Sequence, residues 1–367
     1  MPVKIIGMIG VTPPSNDATV HIITGGISAE YLRNFAQAHE QADYDLVLVG
    51  YTSQSAEGLG VASHAAAHTE RLGYLIAHRP GFVAPTLMAR KFATFDQLWN
   101  GRLAIHIIAG VSDKENMMDG DPLEKPDRYR RAAEYLDIMH RAWAGPGPFE
   151  FEGEFYTVRG ARTDILPLQQ PHPVVYFGGS SEGALVMGAQ HCDVFAMFAE
   201  PRETMAARMA DFQVRAAEHG REPRFNMSVR PIIAETEGAA WDKAAHILEQ
   251  VKREVAEFGP PLAKDHSGAR ILALAAKADL YDERLWMPLA AAYGARGNTT
   301  CLVGTAEQVA DACLEYYRIG IGGFLLRGFD PLNDVTDYGR ELIPRIRAGV
   351  AALDGPVERV ARSLDES

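Results

Sequence analysis

Residues 174–183 read VVYFGGSSEG: an apolar run, two glycines, two serines, an acid and a third glycine. The run Val174–Gly179 shows no polar alternation, which suits a parallel strand covered on both faces. Gly178 and Gly179 let backbone approach a neighbour or a ligand closely. Ser180 and Ser181 stand where a helix begins, and serine hydroxyls beside the free N–H groups of a helix start make an anion seat. A tight strand-to-helix turn with Ser180 as N-cap explains the same residues, and the pattern alone weighs the two evenly. No GxxxxGK[ST] loop is present, and Gly320-Ile321-Gly322 lacks the strand–turn–helix context of a dinucleotide fingerprint.

The same rhythm repeats in both directions from this segment. Strand-like runs fall at Lys4–Val11, Asp45–Tyr51, Leu72–Arg79, Leu103–Gly110, Val174–Gly179, Asp193–Ala199, Phe225–Ala234 and Gly323–Arg327. Helical spacing fills the intervals at Ala29–Ala42 (with Ser28 as N-cap), Pro85–Leu98, Pro126–Trp143, Arg202–His219, Glu237–Phe258 and Ala306–Arg318. Eight strands alternating with helices favour a (β/α)8 TIM barrel over an open doubly wound sheet. Two segments break the rhythm. Pro148–Gly160 alternates apolar and polar residues about Glu152-Gly153 and reads as an inserted hairpin. Gly259–Thr299 offers no strand, is too long for a plain connection, and reads as an insertion with some helix and a candidate mobile lid. With no clear linker, the 367 residues are expected to form one domain.

Composition narrows the function. The formal net charge of −12 argues against a sequence-independent nucleic-acid binder, although a few arginines can still build a local positive pocket. No apolar run approaches the roughly 18 residues that span a bilayer. Cys192, Cys301 and Cys313 form no CxxC or zinc pattern, so a reduced, cytoplasmic protein is expected.

In a barrel of this kind the active site lies at the C-terminal ends of the strands. That rule selects Ser55 after strand two, Arg79 after strand three, His106 in strand four, Gly178 to Ser181 after strand five and Phe198 with Glu200 after strand six. Ser228 and Arg230 come from strand seven, and Arg327 and Phe329 from strand eight. Arg230 within an apolar strand must face a carboxylate or an anionic ligand, because an unpaired buried charge is costly; the same holds for Arg327. Arg79 is equally an ion-pair partner, for instance of Asp96, or an anion contact. His106 is a base, a hydrogen-bond donor or a packed strand histidine. Glu200 reads first as the N-terminal charge of the next helix. His64 and His68, four apart on a helix, read as surface or packing residues ahead of metal ligands.

Beyond these readings, the blocks RLGYLIAHRPGFVAPTLMARKFATFDQLWNGRLAIHIIAG (71–110), DRYRRAAEYLDIMHRAW (127–143), FEGEFYTVRGAR, QQPHPVVYFGGSSEGA and TTCLVGTAEQVAD through RGFDPLNDVTDYGRELIPRI stand in collinear order. Over roughly residues 30 to 350 the chain resembles the flavin-dependent luciferase-like monooxygenases, nearest to the FMNH2-dependent alkanesulfonate monooxygenases. The resemblance implies reduced FMN supplied by a separate NAD(P)H-dependent flavin reductase, and O2 acting through a (hydro)peroxyflavin. It also implies carbon–sulfur cleavage of an organosulfonate, an alkanesulfonate or sulfosugar, to sulfite and an aldehyde, by a homodimer or homotetramer.

Carried over by position, Tyr129 with Ser180 and Ser181 would hold the FMN phosphate, and His106 would face the flavin where the sulfonate enzymes have Asn. Arg296 would be the mobile-loop arginine. Phe198 stands where Trp is usual, Ser55 where Cys is, Ser228 and Arg230 where Arg and His are, and Phe329 where Tyr is. These departures keep a sulfone, a carboxylate or another small non-sulfonate substrate in view. They also leave two further readings: hydride transfer with a deazaflavin, and a non-catalytic barrel subunit. Arg230→Ala is expected to cut turnover far more than folding.

Overall fold

The computed structural model describes residues 2–20, 22–23, 25–110, 112–145, 147–259, 266–297 and 299–355. Its strands are β1 (Lys4–Met8), β2 (Leu46–Val49), β3 (Gly73–His78), β4 (Leu103–Ile107), β5 (Phe149–Glu152), β6 (Thr157–Ala161), β7 (Val174–Phe177), β8 (Val194–Phe198), β9 (Arg224–Ile233), β10 (Leu280–Tyr281), β11 (Leu285–Trp286), β12 (Cys301–Gly304) and β13 (Ile321–Leu326). Strands β1, β2, β3, β4, β7, β8, β9 and β13 pair in parallel in that order, and the β13–β1 pairing closes the ring. The result is the expected (β/α)8 barrel. Six of the eight strand-like runs in the sequence contain their strand whole, and the other two overlap β9 and β13, which begin one and two residues earlier.

The helices follow the expected intervals because their caps and apolar spacing agree. Ser28 Oγ accepts from the Tyr31 N–H at 3.2 Å and starts the helix Ala29–Gln41, whose Leu32, Phe35 and Ala36 are buried. Proline opens Pro85–Leu98, and Thr305 with Gln308 forms a capping box on Ala306–Arg318. β5 and β6 form an antiparallel hairpin that, among the described residues, pairs with no other strand.

Register decides which residues face the barrel centre. Neighbours opposite one another in a parallel ladder point to the same side. The pairs Ile6↔Leu46, Ile6↔Leu325, Leu75↔Ala104, Ala104↔Val174 and Tyr176↔Val194 thread one such set. These residues pack as a cluster of their own and plug the barrel. Continuing the same face toward the C-terminal ends reaches Met8, Ala77, His106, Gly178, Phe198, Ser228 and Arg327, so the mouth turns polar above an apolar plug.

The segment after Gly259 differs from the sequence expectation. Residues 260–265 and 298 of the expected insertion lie outside the described residues. The remainder holds the helices His266–Ala275 and Pro288–Ala292 and the antiparallel pair β10–β11. Immediately after it, β12 runs parallel to the end of β9, a strand absent from the sequence reading. β9 is therefore shared: Phe225–Val229 pair with β13 inside the barrel, while Arg230–Ile233 pair with β12 outside it. Arg230 sits at the fork.

Candidate active site at the barrel mouth

Beyond β7, Gly178 and Gly179 are required by space. A Cβ on Gly178 would lie 2.7 Å from the Ala196 carbonyl oxygen, and one on Gly179 would lie 2.6 Å from Ala184 Cβ. The chain thus turns tightly between β8 and the helix Glu182–His191. Ser181 is the N-cap residue of that helix, but its side chain caps nothing. Its Oγ is buried and, among the described residues, has no hydrogen-bond partner. Ser180 Oγ meets Ser267 Oγ at 3.0 Å. Tyr129 is buried alongside: its ring lies against Phe177 with centroids 6.3 Å apart, and its Cδ2 would be 3.1 Å from a Cβ on Gly183. The fold therefore brings Tyr129, Gly178, Gly179, Ser180 and Ser181 together. An orphaned hydroxyl at a helix start, with backbone free of Cβ atoms, suits an acceptor-only group such as a phosphate.

His106 projects from β4 at the inward position between Ala77 and Tyr176. Burial lowers its pKa to about 4, so the ring is neutral near pH 7. Nδ1 is buried and has no partner among the described residues, which leaves it available to a bound molecule. Across the barrel, Arg327 donates from Nη1 to Met8 Sδ at 2.9 Å and from Nη2 to the Val20 carbonyl. Its Nε is buried without a partner, and among the described residues no carboxylate pairs with it. Phe198 and Ser228 stand opposite each other on β8 and β9. One aromatic wall, one hydroxyl, one neutral imidazole and one under-used guanidinium thus share the inward face.

Other expected site residues are occupied elsewhere. Arg79 is held by Glu115 at 2.7 Å and approached by Asp119 at 3.8 Å, with Ser53 Oγ accepting at 3.1 Å and the Tyr51 ring 4.7 Å beneath. Its partner is therefore not Asp96, which accepts from Gln169 instead. Ser55 Oγ accepts from the Thr52 N–H at 3.0 Å and donates to the Thr52 carbonyl at 2.9 Å, stapling its own turn beside Gly50 and Ile23. Arg296 is exposed on the connection to β12.

Arg230 reverses the sequence expectation. Its side chain is fully buried and donates to the carbonyls of Thr19 at 3.3 Å, Gly328 at 3.0 Å and Val20 at 2.8 Å. The guanidinium also lies 4.5 Å from the Phe329 ring centroid. Phe329 belongs to a satellite core with Val20, Ile232, Tyr293 and Cys301, away from the barrel plug. The physical reason is the fork in β9. Beside the point where β13 and β12 diverge, loop carbonyls after β1 (Thr19, Val20) and after β13 (Gly328) lie within reach, and a five-donor cation satisfies several at once. Arg230 and Phe329 build the fork.

Sequence reasoning missed the role of Glu200. Its carboxylate is fully buried and takes Arg208 at 2.6 Å and a fork from Arg270 at 2.7–2.9 Å. The signal was the residue itself, an acid directly after a buried strand. Its partners, eight and seventy residues away, were not legible.

A closed parallel barrel with an apolar plug, a polar C-terminal mouth and a glycine–serine corner after its fifth strand has the architecture of a class of small-molecule enzymes. Within that class, the chain belongs to the luciferase-like monooxygenase family, whose sequence profile matches residues 8–322. Solved structures share the fold at low identity. A riboflavin lyase, RcaE, determined with modified FMN and riboflavin, superposes with a TM-score of 0.76 at 18% identity, covering 95% of this chain and 92% of its own. DmoA from Hyphomicrobium sulfonivorans gives 0.75 at 20% identity, covering 95% and 88%. The coenzyme F420-dependent tetrahydromethanopterin reductase of Methanopyrus kandleri gives 0.68 at 15% identity, covering 94% and 99%. The first of these was determined with modified FMN, and the last depends on coenzyme F420. No helix among the described residues is long and apolar enough to cross a membrane.

Proposed function

We propose that the chain is the oxygenating component of a two-component monooxygenase. It would take reduced FMN from a separate NAD(P)H-dependent flavin reductase and use O2 to cleave the carbon–sulfur bond of a small organosulfonate. The reading includes a cytoplasmic homodimer or homotetramer. The observation that carries it is the Ser181 hydroxyl, buried without a partner among the described residues, at a helix start beside Tyr129 and Gly178-Gly179. That corner suits the phosphate of FMN: Ser180 and Ser181 would donate hydrogen bonds, and the glycines would admit it against bare backbone.

Reduced flavin, when bound, supplies two electrons that with O2 provide one oxygen atom for the substrate and one for water. The chain's own residues then have definite tasks. The apolar plug beneath the mouth excludes water from below. His106, neutral through burial, offers Nδ1 to accept a proton or hydrogen bond. Arg327 presents a cation with an unfilled donor to an anionic head group. Phe198 supplies an apolar wall for the substrate chain. The balanced outcome is one aldehyde, one sulfite and one water per sulfonate, O2 and reduced flavin.

The test is sulfite release with a flavin reductase, NADH, FMN and O2, against a panel of alkanesulfonates and a sulfosugar. Sulfite that requires both this chain and flavin reduction supports the reading. Arg327→Met should then lower kcat/KM by roughly 100-fold, the loss of one charge-assisted contact, while reduced-FMN binding stays within twofold. No sulfite, with FMN bound tightly, turns the reading to sulfones or other substrates. No flavin binding at all turns it to a deazaflavin enzyme or a non-catalytic subunit.

A further inference from the structure

We propose that Ser267, on the helix His266–Ala275, is a further ligand of the cofactor phosphate, held in place by the Glu200–Arg270 ion pair. The inference rests on reading the Ser180–Ser181 corner as the phosphate seat.

Three observations converge on it. First, Ser267 Oγ and Ser180 Oγ touch at 3.0 Å although 87 residues separate them. A hydroxyl pair bonded to itself uses one of its two protons internally. If both rotate toward an acceptor-only group, both protons become available. With Ser181 Oγ, already without a partner, three hydroxyls would converge.

Second, the pair lies beside a helix start. Ser181 directly precedes the helix Glu182–His191, and a helix start carries about half a positive charge that favours an anion. That helix's acid, Glu182, is turned to Arg215 at 2.7 Å.

Third, the second helix is fixed by a strong anchor. Arg270 grips the fully buried Glu200 carboxylate with Nε and Nη2, and Glu200 is further held by Arg208. Ser267 and Arg270 are three apart and share one helix face. Gripping Glu200 therefore aims Ser267 at the seat. Glu200 directly follows Ala199, whose N–H is fixed to the Ser228 carbonyl at 2.9 Å, so the anchor is part of the barrel frame. The segment following the barrel's seventh strand and its helix thus reads the cofactor's phosphate. Ser267 is a binding residue; Glu200 and Arg270 are positioning residues.

The experiment is an anaerobic titration of the full-length chain with reduced FMN and, separately, reduced riboflavin, followed by protein fluorescence. Wild-type protein should favour FMN. Ser267→Ala should weaken reduced FMN about 5–10-fold, one hydrogen bond to a charged acceptor, and leave reduced riboflavin within twofold. Arg270→Gln should act in the same direction and to a smaller extent, with a thermal midpoint recorded to show that it is folded. If Ser181→Ala lowers the FMN preference and Ser267→Ala does not, the proposal is overturned and the phosphate seat stands. If Ser267→Ala weakens both ligands equally, its role is structural and the proposal is again overturned. If wild-type protein shows no preference for FMN, the phosphate seat itself fails.

Discussion

The fork at Arg230 and the corner at Ser181 present the same kind of residue to a sequence reader: a polar side chain beside a buried strand end. The structure separates them. Arg230 gives its protons to three carbonyls and its face to Phe329. Ser181 has a buried hydroxyl with no partner among the described residues, beside two glycines. A saturated polar group holds the fold, whereas an unsaturated one in a formed pocket stores binding capacity. Burial alone does not distinguish them, since Arg230 is the more buried of the two. The count of unmet hydrogen bonds does.

Arg230→Met tests the saturated side and carries the largest expected effect. It takes a donor from the carbonyls of Thr19, Gly328 and Val20 in a buried fork, with Val20 keeping only its bond from Arg327 among the described residues. The cost should be roughly 3–5 kcal/mol in chemical denaturation. Flavin affinity of the molecules that remain folded should be unchanged. A variant of near wild-type stability that binds flavin but has lost turnover would restore Arg230 to the active site and break the contrast.

His106 lies on the unsaturated side and gives a test by pH. Burial lowers its folded pKa from 6.5 to about 4. Between those values the unfolded chain binds a proton that the folded chain refuses. The penalty is absent above about pH 6.5 and grows as pH falls toward 4. At pH 5 it amounts to about 2 kcal/mol for this one group. Buried His78, at about 3, and His191, at about 4, add to the same acid limb, so the wild type alone does not isolate His106. The informative comparison is His106→Asn: it should lose about 2 kcal/mol less stability between pH 7 and pH 5 than the wild type does. Parallel curves would show that the imidazole is not desolvated in solution.

What the sequence disclosed follows from how local each signal is. Several of the barrel strands are nearly continuous apolar runs such as LVLVG and VVYFGG, and their own composition announces two-sided burial. The hairpin announced itself by alternation. β10 and β11 hold two residues each, too short for any period to show, and β12 is the four-residue run CLVG beside an irregular stretch. The corner at Ser181 was visible because glycine, serine and helix start are neighbours in the chain. The fate of Arg230 was not, because its acceptors lie about 100 and 210 residues away. Arg79 shows the intermediate case. That it needs an acid follows from its place after a buried strand; that the acid is Glu115, on a short helix after β4, depends on how the loops fold together.

The smallest expected effect is the most discriminating. Ser181→Ala removes a hydroxyl that meets no partner among the described residues, so it removes no hydrogen bond among them and sheds one buried unsatisfied group. Stability should hold within about 0.5 kcal/mol or rise slightly. Against that flat background the preference for reduced FMN over reduced riboflavin should fall about 5–10-fold, because the missing donor served only the phosphate. Loss of stability with an unchanged preference would mean that Ser181 caps its helix after all. The corner would then belong with Arg230 among the groups that hold the fold, and the phosphate would have to be sought at another strand end.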